Sequence, residues 1–332
     1  MILRFIVFDD GTLTNDKVSK YGHYCFTVPL AGSVGLAITQ AFRMTGIVQW
    51  AIRQWAEIEN SMTSVERVLE YTGVEQENNQ GQATDNWPTK GEVKYSNVYL
   101  SYNNSDEYVL KNINFTAHPQ EKIGIVGRTG AGKSSILSTL FRLYEVKGSI
   151  TIDGVDTKTL SLDFLRKHIS IIPQDPVLFT GTIRDNIDPE GQYPDDQIWR
   201  AVETANLIKL VPSLDYEITE NGSNFSVGQR QLICLARAVV RNNKIIVLDE
   251  ATANMDPETD ALIHETIHRN FAACTVFTIA HKLHSIIDSD TVIVMDKGQI
   301  VEYDDPISLL QNKEGLFYKM VKKSGLLPPA FA

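Results

Sequence analysis

The segment Gly127-Arg-Thr-Gly-Ala-Gly-Lys-Ser-Ser135 constrains this chain more than any other. It fits G-x-x-x-x-G-K-[ST], with Gly127, Gly132, Lys133 and Ser134 on the fixed positions and Arg128, Thr129, Gly130 and Ala131 between them. Lys122–Val126 reads as a short buried strand, and the residues from Ser135 to Leu140 read as a helix start. In that strand–loop–helix context, backbone N–H groups turn inward around phosphate oxygens, and the helix N-terminus adds partial positive charge. Lys133 is then placed to reach β- and γ-phosphates, and Ser134 to hold Mg²⁺. A glycine-rich turn that matches by accident is the competing reading. The flanking strand and helix patterns weigh against it, so a nucleoside triphosphate is the expected ligand.

A second segment points to hydrolysis. Lys244-Ile-Ile-Val-Leu-Asp-Glu250 is an apolar run that ends in two carboxylates. Buried parallel strands look like this, and their carboxyl ends are where such sheets place ligands. Asp249 suits the Mg²⁺ shell, and Glu250 suits polarising an attacking water. The alternative is an acidic pair that caps the next helix. Beside a phosphate loop, the catalytic reading is favoured.

The third segment is Asn224-Phe-Ser-Val-Gly-Gln-Arg-Gln231, which precedes an apolar helix at 232–238. A serine and a glycine opening a helix make a second anion site. Taken in order, these parts resemble the nucleotide-binding domain of an ATP-binding cassette (ABC) protein, whose signature is usually written L-S-G-G-Q. Phe225 stands where leucine is usual, and Val227 where the first glycine is usual. The resemblance implies that Ser226, Val227, Gly228 and Gln229 serve the ATP of a partner cassette.

Other family positions follow one by one. Gln174, in Ile171-Ile-Pro-Gln-Asp-Pro176, resembles the glutamine loop that joins the metal site to transmembrane domains. The implied magnesium set is Ser134, Gln174 and Asp249. His281, in Thr278-Ile-Ala-His-Lys282, resembles the switch histidine at the γ-phosphate, although a lone histidine after a strand is more often a structural hydrogen-bonder. With Glu250 and Lys133 it completes the implied catalytic set. Ala253-Asn-Met-Asp256 resembles the segment that crosses a cassette dimer. Tyr102 falls where the family stacks a ring on adenine, against the plainer reading of strand packing. The resemblance covers residues 91–322. Its implied architecture is an α/β P-loop NTPase core, preceded by an antiparallel β-part carrying Tyr102. A helical insertion between Ile183 and Arg241 presents the signature.

The net charge of −10 and the lack of a basic stripe argue against a general nucleic-acid binder. Cys25, Cys234 and Cys274 are scattered and odd in number, so they read as reduced thiols on the cytosolic side, with no zinc spacing.

The first ninety residues differ in kind. Residues 1–20 match that family pattern poorly and read as a separate N-terminal segment. Phe8-Asp-Asp-Gly-Thr-Leu13 superficially resembles the D-x-D-G-T loop of haloacid-dehalogenase phosphatases, but its acids are adjacent, and it reads as a polar loop. Tyr21 to Phe42 holds no Asp, Glu, Lys or Arg, enough length for a bilayer span. A soluble apolar helix competes, because His23, Pro29 and three glycines dilute the stretch. Ile52, Trp55, Ile58, Met62, Val65 and Val68 then recur at helical steps as far as Tyr71. Residues 73–90 read as a solvated linker, 91–325 as the cassette and 326–332 as a tail. Glu57-Ile-Glu-Asn-Ser-Met-Thr-Ser-Val-Glu-Arg67 is similar to the approach to the second cassette of the C subfamily, the multidrug-resistance-associated transporters.

That resemblance implies Mg²⁺-dependent ATP hydrolysis coupled to export, with a second cassette, transmembrane domains and a membrane as partners and the cassette in the cytosol. It also implies that 21–72 is the last membrane helix and its extension, and that the chain is the C-terminal part of a larger transporter. An ATP-gated channel or channel regulator of the same subfamily, or a soluble ABC ATPase, are the alternatives.

Overall fold

A computed structural model describes residues 22–74, 76–102, 107–249, 257–279 and 284–325. Two compact units divide at Glu77 and Asn78. Among its described residues the first holds one helix, α1 (Gly22–Thr72), which ends where Gly73 donates its N–H to the Glu70 carbonyl. No helix among the described residues is long and apolar enough to cross a membrane. Along α1 the apolar residues Leu36, Phe42, Trp50, Trp55 and Val68 are exposed.

In the second unit the chain runs through β1 (Val93–Leu100), β2 (Leu110–Ala117), β3 (Lys122–Gly127), α2 (Lys133–Leu140), β4 (Val146–Ile152) and β5 (Val155–Asp156). It continues with α3 (Leu162–Lys167), β6 (Ile169–Ile172), β7 (Gly181–Thr182), α4 (Ile183–Ile187), α5 (Asp195–Thr204) and β8 (Glu217–Ile218). Next come α6 (Val227–Arg241), β9 (Ile245–Asp249), α7 (Pro257–Asn270), β10 (Thr275–Ile279) and α8 (His284–Ile287). The unit closes with β11 (Thr291–Asp296), β12 (Gln299–Asp304), α9 (Pro306–Gln311) and α10 (Leu316–Lys323).

Six strands form the central sheet in the order β12-β11-β3-β10-β9-β6. Its pairings are parallel, save the antiparallel β11–β12 edge. A second, antiparallel sheet runs β2-β1-β4-β5. It is therefore built from both sides of the phosphate loop, whereas the sequence reading has the antiparallel part ahead of it. The reason is non-local: β1 finds a partner in β4, and no local pattern announces that pairing.

Alternation along β9 explains the layering. Ile245 and Val247 face the antiparallel sheet and α2, while Ile246 and Leu248 face the helices α4 to α7. A third core packs Val292 and Val294 of β11 against Phe317 and Val321 of α10. A parallel sheet covered on both faces needs apolar side chains at successive positions, and β9 has them.

Residues 78–90, which read as a solvated linker, add to the second unit instead. Trp87 is buried, donates Nε1–H to the Ile152 carbonyl at 3.0 Å and stacks on Phe164 at 5.6 Å. Asp153 anchors the same segment from the two-residue turn between β4 and β5, where Asp153 and Gly154 both have positive φ. Its carboxylate accepts the backbone N–H groups of Thr89, Lys90, Gly91 and Glu92 at 2.7–3.2 Å. Partial burial raises the Asp153 pKa, but these four donors outweigh it and hold the carboxyl below its ordinary value. A depressed folded pKa stabilises the fold above the unfolded value, and that stability is lost as pH falls from about 4 downward. Asp153→Asn should cost about 1–2 kcal/mol at neutral pH and flatten the acid limb of the melting-temperature profile relative to the parent. An identical acid limb in the variant would remove Asp153 as the anchor.

Candidate nucleotide site

The site stands on one edge of the central sheet. Parallel register aligns Ile125 of β3 with Ile279 of β10, and Ile279 with Asp249 of β9. The carboxyl ends of these strands therefore share an edge, and β6 ends beside them with Ile172 opposite Leu248. Gly127 closes β3, and the loop 128–132 follows it directly into α2.

That loop needs glycine at its last step. Gly132 takes φ 103° at the N-cap of α2, and a Cβ there would sit 2.9 Å from Leu110 Cδ2. Arg128, Thr129 and Gly130 are exposed, while Ala131 is buried. Lys133 is only 6% exposed. Its ammonium donates to the Gly127 carbonyl at 3.1 Å and the Arg128 carbonyl at 3.4 Å, so the cation is held across the mouth of the loop. Ser134 is exposed at the first turn of α2, and Ser135 is buried beneath it.

Tyr102 comes to the same place. Its hydroxyl donates to Ser135 Oγ at 2.9 Å, and its ring meets Tyr144 edge-on at 4.6 Å. The residue sits just past the end of β1, half-buried, with ring surface beside the phosphate loop.

Asp249 ends β9 half-buried, and Gln174 lies exposed two residues beyond β6. Among the described residues no three His, Cys, Asp or Glu side chains gather. One carboxylate, one hydroxyl and one amide on a shared sheet edge are too few donors for an all-protein cage. They fit a hard cation such as magnesium that arrives with phosphates and keeps waters of its own. Glu250, the segment 251–256 and His281 lie outside the described residues.

The signature is built separately. Ser226 caps α6: its Oγ accepts the Gln229 N–H at 3.2 Å, and its own N–H donates to Gln229 Oε1 at 2.9 Å. This reciprocal cap fixes both polar side chains of the motif. A Cβ on Gly228 would lie 2.9 Å from Thr259 Cγ2, so α6 and α7 approach closely there. Both departures from the usual signature have room. Phe225 is buried in the helical core and meets Tyr216 edge-on at 6.0 Å, whereas Val227 is 41% exposed. The helix belongs to the core that holds Leu232 and Ile233, whereas α2 belongs to the core that holds Ile136 and Leu140. The two helix N-termini are thus rooted in different layers.

One residue with no assigned role emerges. Gln231 is fully buried one turn into α6, and its Nε2 donates to the Pro173 carbonyl at 2.8 Å. The signal in sequence was a glutamine on the apolar face of a helix.

Residues 110–253 match the family model described as ABC transporter. The chain is 52% identical over 302 residues to mouse ATP-binding cassette sub-family C member 4, covering 89% of this chain and 23% of that protein. It is 49% identical over 314 residues to the probable multidrug resistance-associated protein lethal(2)03659 of Drosophila melanogaster, covering 91% and 23%. Among solved structures, its fold is similar to one described as a bacterial Atm1-family ABC exporter with ATP bound. The TM-score is 0.70 at 31% identity, over 80% of this chain and 48% of the other. The chain spans less than a quarter of the length of these curated relatives.

Proposed function

We propose that this chain, which belongs to the ABC transporter family through its cassette at 110–253 and is similar to a member of the C subfamily, is an ATP-hydrolysing cassette of a membrane exporter. The observation that carries this reading is the shared sheet edge: the phosphate loop opens at Gly127, Lys133 spans its mouth, and Asp249 ends a strand in register with Ile279. ATP's phosphates would lie on the loop amides and the N-terminus of α2. Magnesium, when bound, would neutralise developing charge between the phosphates. Ser134, Asp249 and Gln174 are the residues that would hold it or its waters. Lys133 would bind the β- and γ-phosphates, and Tyr102 would stack on adenine. Glu250 would orient and polarise water, and His281 would meet the γ-phosphate.

The membrane enters through the full-length relatives. In this reading 21–72 is the last helix of a membrane domain and its cytoplasmic extension. Its charge-free part carries small and hydroxyl residues, as suits a helix that faces other helices rather than lipid alone.

Rooting the signature and the phosphate loop in different layers supports a composite site, with Ser226, Gly228 and Gln229 serving ATP held by a second cassette. Specific ATPase activity of the isolated chain should then rise with protein concentration, and rise further on adding a matching first cassette. Activity that is independent of concentration and blind to such a partner would contradict the composite site. For the adenine contact, Tyr102→Ala should weaken ATP binding by about 1–2 kcal/mol, or roughly 5- to 30-fold. Tyr102→Phe, which loses only the bond to Ser135, should stay near the parent. Equal losses in both variants would make the hydroxyl, not the ring, the working group.

A further inference from the structure

The buried amide of Gln231 joins two motifs that are 58 residues apart in sequence. Its Nε2 donates to the carbonyl of Pro173, the residue that precedes Gln174, while its own position is one turn inside the helix capped by Ser226 and Gln229. Pro173 offers no N–H, so the donor in this pair is the glutamine amide. The other half of that amide, Oε1, is buried without a hydrogen-bond partner among the described residues. An unpaired buried acceptor is a cost to stability that a methionine or leucine at this position would avoid. Leu232, Ile233, Leu235 and Ala236, its neighbours on α6, are apolar and fully or nearly fully buried. A polar side chain kept among them at that cost is explained by what its nitrogen holds.

We infer that Gln231 is a positioning residue: it tethers the turn carrying Gln174 to the signature helix, so that displacement of α6 moves Gln174 relative to the end of β9. Ile172 at the end of β6 already lies in the core that α6 shares, so this hydrogen bond extends the packed region by one residue, to the threshold of the exposed Gln174. The geometry gives the two motifs a mechanical link inside one chain. This inference rests on the reading of Gln174 as part of the magnesium-ATP site.

Two measurements on the full chain test it. The first needs no nucleotide: hydrogen exchange of the amides of Gln174, Asp175, Val177 and Leu178. Gln231→Met keeps length and apolar volume but removes the donor. It should speed exchange there about three- to tenfold and leave the melting temperature unchanged or raised. The second is the Mg²⁺ dependence of ATP binding in Gln231→Met, Gln174→Ala and the double variant. Gln231→Met should raise half-saturating Mg²⁺ about three- to tenfold, and the double variant should be no worse than Gln174→Ala alone, because both changes act through one group. If Gln231→Met fails to fold, Gln231→Asn retains both amide groups but is one methylene too short to reach Pro173, and it replaces the methionine in every arm. Unchanged exchange at 174–178 would overturn the tether. Multiplicative Mg²⁺ effects would overturn its action through Gln174. Loss of ATP binding in Lys133→Ala together with unaltered exchange in the Gln231 variant would leave the nucleotide site standing and the tether refuted. A parent chain that binds no ATP would instead sink the nucleotide reading, while the exchange result still decides the tether.

Discussion

Lys133→Ala should weaken Mg-ATP binding by about 1.5–3 kcal/mol, a factor of roughly 10 to 150. The ammonium is buried to 6% exposure and rests on two carbonyls, those of Gly127 and Arg128, at 3.1 and 3.4 Å. Those carbonyls fix its position before any phosphate arrives, so little side-chain entropy is lost on binding, and the charge acts within a mouth shielded from water. Removal takes away a positive charge that no neighbour replaces at the same point, while the loop amides remain. Binding should therefore fall steeply without vanishing. Freeing two carbonyls also perturbs the loop itself, so the melting temperature of the variant must be followed beside a titration with a fluorescent ATP analogue. Lys133→Arg separates charge from shape. A guanidinium is bulkier and forked, and it should recover only part of the affinity. An affinity for Lys133→Ala equal to the parent's would remove the phosphate-loop assignment.

The parts of this site that were legible in sequence share a physical cause. β3 and β9 are buried on both faces, so they write themselves as unbroken apolar runs, and each run stops where the chain meets the ligand edge, at Gly127 and Asp249. Ser226 was legible as a serine that, with Gly228, opens an apolar helix, and the structure adds the reciprocal cap with Gln229. Sheet order was not legible. That β3 lies between β11 and β10 depends on contacts far apart in the chain. Nor was the role of 78–90: its polar composition reads as solvated, yet one buried tryptophan and one carboxylate in a distant turn bind it down. The Asp153-Gly154 and Lys297-Gly298 pairs, with positive φ at both residues, are the turns of two hairpins. The first, an Asp-Gly between apolar residues, is a local signal that could have placed β4 and β5. Gln231 carried a signal as a glutamine on an apolar helix face, but its partner is a backbone carbonyl, which no residue identity reveals.

Glu250→Gln should leave ATP binding intact and lower turnover by a factor of about 10² to 10⁴, the range lost with a general base. Glu250 lies outside the described residues, and the expectation rests on its place one step beyond Asp249. Asp249 is the last residue of β9, and its neighbour in register, Ile279, is itself paired with the strand that feeds the phosphate loop. Glu250 follows that strand end directly in sequence. Glutamine keeps the size of that side chain but replaces one acceptor oxygen with an NH2 donor and cannot accept a proton at neutral pH. Asp249→Asn should do the reverse in part, weakening Mg²⁺-dependent ATP affinity by about 1.5–3 kcal/mol because it removes a negative charge from the sheet edge where the cation would bind, with little effect on binding measured in EDTA. Two adjacent carboxylates would thus separate into one that acts on affinity and one that acts on rate. Equilibrium titration with and without Mg²⁺, together with phosphate release under saturating ATP, measures both. If the composite site proposed above forms between two copies, Glu250→Gln should also elute earlier on size-exclusion chromatography with ATP than without it. A Glu250→Gln chain that releases phosphate at the parental rate would make Glu250 a helix cap and place the base elsewhere.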